Sequence, residues 1–254
     1  MKKIKSIFII LLISHCLLNA QKIEFPKTNV DLSKIDVSKI DVSKLNLENF
    51  SFGLKVSPSI NWVDVKHYDL NAGGAALKFA IGGIAEYSIN NLISVVSGVN
   101  YNGYGGYVFD NNSLNDLTTA DNYQLNYSQI EVPLGLKIKT PALKKISYYI
   151  QGGLTSGFVL TANEKYKKLN SNLVNQPVDI LSLTNPAGYG FQVSVGTELK
   201  ISKNVKFITD IAYKRALTST ADGNAYFKSG RYTNQSLLEI YPGCMEFSFG
   251  FLFK

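Results

Sequence analysis

His67 is the residue around which a reaction could most readily be built, because Asp64, Lys66, Tyr68 and Asp69 surround it and a loop serine could complete a triad. An imidazole works as a general base when a nucleophile lies within hydrogen-bond reach and a carboxylate fixes its tautomer. The chain has two histidines, His15 and His67, and neither stands in a G-x-S-x-G or HExxH motif. A solvated loop histidine is the expectation, and retained activity after replacing His67 would remove the enzyme reading. Zinc would need several Cys or His ligands, and only Cys16 and Cys244 join the two histidines. Gly103-Tyr-Gly-Gly-Tyr107 lacks the lysine and following helix of a phosphate loop, so it reads as strand-end and loop material with its tyrosines in an aromatic girdle or, as the alternative, a sugar-stacking patch. No catalytic, cofactor or metal residues are assigned, and the protein is expected not to be an enzyme.

Charged side chains offer a different chemistry. Lys55, Lys78, Glu86, Glu131, Lys137, Glu198, Lys200, Asp210, Lys214 and Glu246 make five acids and five bases, each on the polar face of an alternating segment. Lys139 and Lys206 share that face but lie beside short turns, where solvent reaches them. If the ten project into one lumen they can neutralise each other. Glu131, Glu198, Lys137 and Lys200 in particular are predicted to be buried with partners on neighbouring strands.

The elements that would position these charges are strands. Of 254 residues 45% are hydrophobic, 12% aromatic and 18% charged, which excludes disorder. Mean hydropathy is +0.01, and the one continuous apolar run is about twelve residues, too short for a spanning helix. From Phe50 the pattern has period two: Phe50, Phe52, Leu54 and Val56 share one face, and Ser51, Gly53, Lys55 and Ser57 the other. Similar runs follow near 76–89, 92–104, 123–139, 146–161, 188–202, 204–217 and 238–254. Connections alternate long (63–75, 105–122, 162–187, 218–237) and short (90–91, 140–145, 202–203). That asymmetry fits an eight-stranded antiparallel up-and-down transmembrane β-barrel, all-β, with its short turns on the periplasmic side. A soluble cup would have to bury the bulky aromatic face in a narrow interior.

Residues 1–20 read as a signal peptide: Lys2, Lys3 and Lys5, an apolar stretch from Ile7 to Leu18, then Asn19-Ala20. Residues 21–49 read as a polar leader, with Val30-Asp-Leu-Ser-Lys, Ile35-Asp-Val-Ser-Lys, Ile40-Asp-Val-Ser-Lys and Leu45-Asn-Leu-Glu-Asn as four five-residue units. Four units are too few for a solenoid core, so a tether is expected. The barrel occupies 50–254. Removing the signal lowers the formal charge from +7 to 7 − 3 = +4 and leaves Cys244 alone, so no intramolecular disulfide forms. The basic residues are scattered in sequence, which excludes nucleic acid as a partner.

The last run places Met245, Phe247, Phe249, Phe251 and Phe253 on one face, which resembles the C-terminal signal read by the barrel assembly machinery, shifted by the final Lys254. Pro242-Gly243 is expected to mark a bulge. Phe52-Gly-Leu-Lys-Val-Ser-Pro-Ser-Ile-Asn-Trp62, Tyr127-Ser-Gln-Ile-Glu-Val-Pro-Leu-Gly-Leu-Lys137, Tyr148-Tyr-Ile-Gln-Gly-Gly-Leu-Thr-Ser-Gly-Phe158 and this closing strand resemble the PorT-like outer-membrane β-barrel family of Bacteroidota. The resemblance implies an outer-membrane location, contact with lipid, and an association with type IX secretion proteins. A closed structural or assembly-associated barrel is the leading reading. A small pore or ligand-binding barrel, and a rim enzyme on lipid or peptide, are the alternatives.

Overall fold

The computed structural model describes residues 47–67, 70–110, 121–168, 177–223 and 238–254. The signal and the repeat leader lie outside them. Among the described residues nine strands form, β1 (Phe50–Lys66), β2 (Leu70–Ser88), β3 (Ile93–Asp110), β4 (Asp121–Lys139), β5 (Ile146–Lys168), β6 (Val178–Asp179), β7 (Ala187–Lys200), β8 (Val205–Ala216) and β9 (Glu239–Phe253). Each long strand pairs antiparallel with its neighbours, and β4 with β5 and β1 with β9 close the sheet into an eight-stranded barrel. The two-residue β6 is an appendage on β5. No helix among the described residues is long and apolar enough to cross a membrane.

Alternation sets the faces. Phe52, Leu54, Val56 and Ile60 are exposed on the outside while Ser51, Ser57, Ser59 and Asn61 are buried inside. Outer aromatics gather at two levels, Phe50, Phe52, Tyr87, Phe207 and Phe251 near the short turns and Trp62, Phe191 and Tyr213 above. From Phe52 to Trp62 a tilted strand climbs roughly 25 Å, the height of an outer-membrane apolar band.

Above Trp62 the polarity inverts. Asp64 and Arg215 pair at 2.8 Å, and Lys66 and Glu239 at 3.3 Å, all partly open to solvent. On the inner face at this level Val63, Leu70, Val108, Leu125, Leu238 and Ile240 are buried together. The outer third of the barrel is thus built like a soluble one, with its apolar side inward.

Two sequence expectations change here. The long connection at 63–75 shrinks to the three residues between Lys66 and Leu70, because Val63 and Val65 keep the strand period beyond the lipid band. Pro242-Gly243 makes no bulge: Val63 faces Pro242 and Trp62 faces Gly243 in an unshifted register. The Trp62 indole covers Gly243, where a Cβ would come within 2.8 Å of Nε1. Register shifts fall instead between Ala72 and Gly74, between Ala75 and Ala80, and at Ser128/Gln129.

The short turns are chemically defined. Asn90 Oδ1 accepts from the Leu92 and Ile93 amides at 2.8 Å each. Leu143 and Ile146 bond each other across Lys144-Lys145, with Lys144 at φ 60°. A lysine there carries a cost that glycine would not, so Lys144→Gly should raise stability by about 0.5 kcal/mol after its unfolded-state entropy is counted. Urea unfolding in detergent measures it, and a lowered midpoint would contradict the assigned turn.

Candidate functional site

The lumen is the site, and its charges fall into two layers. Near the short turns Lys137 Nζ lies 2.9 Å from Glu86 and 2.7 Å from Glu198. Lys139 reaches Glu86 at 2.6 Å and Lys206 reaches Glu198 at 2.9 Å. The Lys137 ammonium also sits 4.1 Å from the centre of the Tyr149 ring, and the Tyr149 hydroxyl donates to Asp210 at 2.9 Å. Higher up, Lys214 bridges Glu246 at 2.7 Å and Glu131 at 3.4 Å, and Lys55 pairs with Glu246 at 2.8 Å. Tyr104 donates to Glu131 at 2.7 Å, Gln129 does so at 2.7 Å, and Asn102 donates to it as well.

These contacts follow from the barrel's stagger. Glu86 on β2 and Glu198 on β7 sit across the lumen, and β4 sends Lys137 and Lys139 between them. Lys214 on β8 stands beside Glu246 on β9 but spans the interior to Glu131 on β4. Carboxylates removed from water in this way persist only when paired and hydrogen-bonded.

Two of the ten expected lumen charges lie elsewhere. Lys200 is exposed at the short-turn mouth. It faces Lys206 directly across β7 and β8, the two compete for Glu198, and Lys206 holds it. Lys78 runs over Gly103 and Gly105, and its Nζ donates to Asn126 at 2.5 Å. The register shift between Ala75 and Ala80 falls at this position and leads it away from the carboxylates. Lys139 and Lys206 take their places, so the network still balances five carboxylates against five ammonium groups.

Tyr104 and Tyr149 are the polar partners that sequence reasoning missed. Alternation from Tyr101 and Tyr148, both outside, would have pointed them inward. Gly103–Tyr107 is strand interior, not strand-end, and Tyr104 belongs to the lumen.

Above the upper layer the lumen is plugged. Ile180, fully buried, follows β6, and its amide donates to Ala162 at 3.0 Å. Asn185 donates to the Ser219 and Ala221 carbonyls at 2.9 and 3.0 Å, tying the β5–β7 and β8–β9 connections together over Tyr127, Leu238 and Ile240. Two cavities, one lined by Tyr104, Glu131 and Lys214 and the other by Lys55, Lys137 and Tyr149, are about 40 Å³ each, room for one or two waters.

His67 directly follows β1, while Tyr68 and Asp69 lie outside the described residues. Asp64, one of the two carboxylates near it in sequence, is engaged by Arg215. No cluster of three or more His, Cys, Asp or Glu that could hold a metal occurs among the described residues.

Residues 20–222 match the outer membrane protein beta-barrel domain family. The chain belongs to this family. As a member of the outer membrane protein beta-barrel domain family it is an outer-membrane protein whose strands cross the lipid. A search of curated proteins found no match. Among solved structures the chain is similar to Neisserial surface protein A (13% identity, TM-score 0.42, covering 81% of this chain and 97% of that one). It is also similar to Ail, the attachment invasion locus protein of Yersinia pestis, in complex with a heparin analogue (14%, TM-score 0.39, 81% and 99%). A third is the outer membrane protease OmpT from Escherichia coli (10%, TM-score 0.47, 81% and 96%).

Proposed function

We propose that this barrel is a closed structural or assembly-associated component of the outer membrane. The observation that carries the reading is the filled lumen. A pore needs a continuous aqueous path, usually lined by surplus charge of one sign. Here two neutralising ion layers and an apolar plug follow one another along the axis. The finer reading, an accessory role in type IX protein secretion, rests on the stretches that resemble the PorT-like family. Phe247, Phe249, Phe251 and Phe253, exposed on the outer face of β9, are the residues we assign to recognition by the barrel assembly machinery.

Purified protein in planar bilayers is expected to give no steady conductance, and discrete open steps would move the assignment to a small pore. Affinity purification from outer membranes in mild detergent tests the finer reading. Stoichiometric recovery of secretion-system proteins supports it, and recovery of the barrel alone removes it.

A further inference from the structure

At its short-turn end the barrel opens into a vestibule of about 910 Å³. Seven lysines line it, Lys139, Lys144, Lys145, Lys200, Lys203, Lys206 and Lys254, and Glu198 is the one carboxylate side chain among its described lining residues. Lys139 and Lys206 are committed to Glu86 and Glu198. Lys144, Lys145, Lys200 and Lys203 make no ion pair among the described residues. Lys145 and Lys200 are also held close, because the Lys200 amide donates to the Lys145 carbonyl at 2.8 Å and joins the end of β7 to the β4–β5 turn. Sequence separation hid this cluster: basic residues scattered along the chain converge once adjacent strands end at one level.

We propose that this vestibule docks an extended acidic segment of a periplasmic protein. Unpaired ammonium groups held together repel one another, and a polyanion relieves that repulsion where a single-charge ion relieves little of it. The volume lies in the range of ligand pockets and suits several residues of chain. Ser51, Lys139 and Glu198, lumen-facing residues, form its inner wall, so it opens along the barrel axis, where headgroups packed around the rim do not enter. Leu143, 69% exposed, and Ile201, 53% exposed, stand beside the lysines and offer apolar contacts that a peptide can use and an inorganic anion cannot. The chain's own residues 21–48 carry five acidic and five basic side chains, so they bring no net charge to complement it. The proposal deepens the closed-barrel reading, since a filled lumen makes the vestibule a blind pocket instead of a channel entrance.

The test uses the full chain in nanodiscs of zwitterionic lipid and fluorescein-labelled octaglutamate, followed by anisotropy at low and moderate salt. The fourfold variant Lys144→Gln, Lys145→Gln, Lys200→Gln, Lys203→Gln is expected to bind at least about tenfold more weakly, with a shallower salt dependence. Lys66→Gln, at the opposite end, should bind as the parent does. All four replaced lysines are exposed at strand ends or turns, and an unchanged urea midpoint confirms that the variant folds. Equal binding by parent and fourfold variant overturns the proposal. So does competition by inorganic tripolyphosphate as strong as by unlabelled octaglutamate, which would mark a general anion site. A barrel that conducts yet binds octaglutamate would defeat the closed-lumen reading alone, and a silent barrel that does not bind would defeat the docking alone.

Discussion

Lys214→Met is expected to destabilise the barrel by about 3–5 kcal/mol, the cost of leaving buried carboxylates without their cation. Lys214 is the only described cation within 4 Å of Glu131 and shares Glu246 with Lys55. Its removal therefore strands Glu131 with neutral donors and halves the pairing of Glu246. Met is one atom shorter but nearly equal in volume, so the loss reports chiefly charge and not a cavity. Lys200→Met, at the exposed mouth, is the control and should change stability by less than about 0.5 kcal/mol. Urea midpoints in detergent compare the two, and similar losses would show that the upper layer is not buried. Adding Glu131→Gln to Lys214→Met should recover part of the loss, because a neutral amide is far less costly to bury than an unpaired carboxylate.

Val56→Arg probes the other face and should cost about 2–4 kcal/mol in lipid vesicles, the penalty for a cation on the lipid side near the middle of an outer-membrane barrel. Val56 is 40% exposed on the outside, about midway between Phe52 and Trp62 on the same strand. The same replacement at Leu143, on a turn tip, should cost no more than about 1 kcal/mol, since arginine there reaches water. Reversible unfolding of both variants in vesicles decides the matter. Equal costs would mean that the face bearing Phe52, Leu54 and Val56 does not meet hydrocarbon.

Much of the fold was legible because one physical rule governs the membrane-spanning stretch: lipid outside and charge inside impose period two. Phe50–Val56 declared its phase at once, and so did Glu131–Lys137 and Phe247–Phe253. The rule fails where the environment changes. Beyond Trp62 water replaces lipid, so Asp64 and Lys66 face out and Val63 and Val65 face in, and a continuing strand looked like a polar loop. Part of the charge network was legible for the same reason. Which lysine takes Glu198 was not, because Lys200 and Lys206 have the same parity and become cross-strand rivals only once the register exists. Lys78 escaped because a bulge leaves no trace in composition. The basic vestibule was invisible in a linear reading, being made by the convergence of turns far apart along the chain.

The balanced lumen also governs how the barrel responds to an electric field. Five carboxylates, four of them ion-paired and Asp210 held by the Tyr149 hydroxyl, balance five ammonium groups in the lumen and present no net charge there for a transmembrane potential to pull on. Displacing an elementary charge across a membrane yields about 2.3 kcal/mol per 100 mV, and here that work sums to near zero. The interior network is therefore electrically silent, and an applied potential finds unbalanced charge to act on only outside it, as at the lysines of the vestibule.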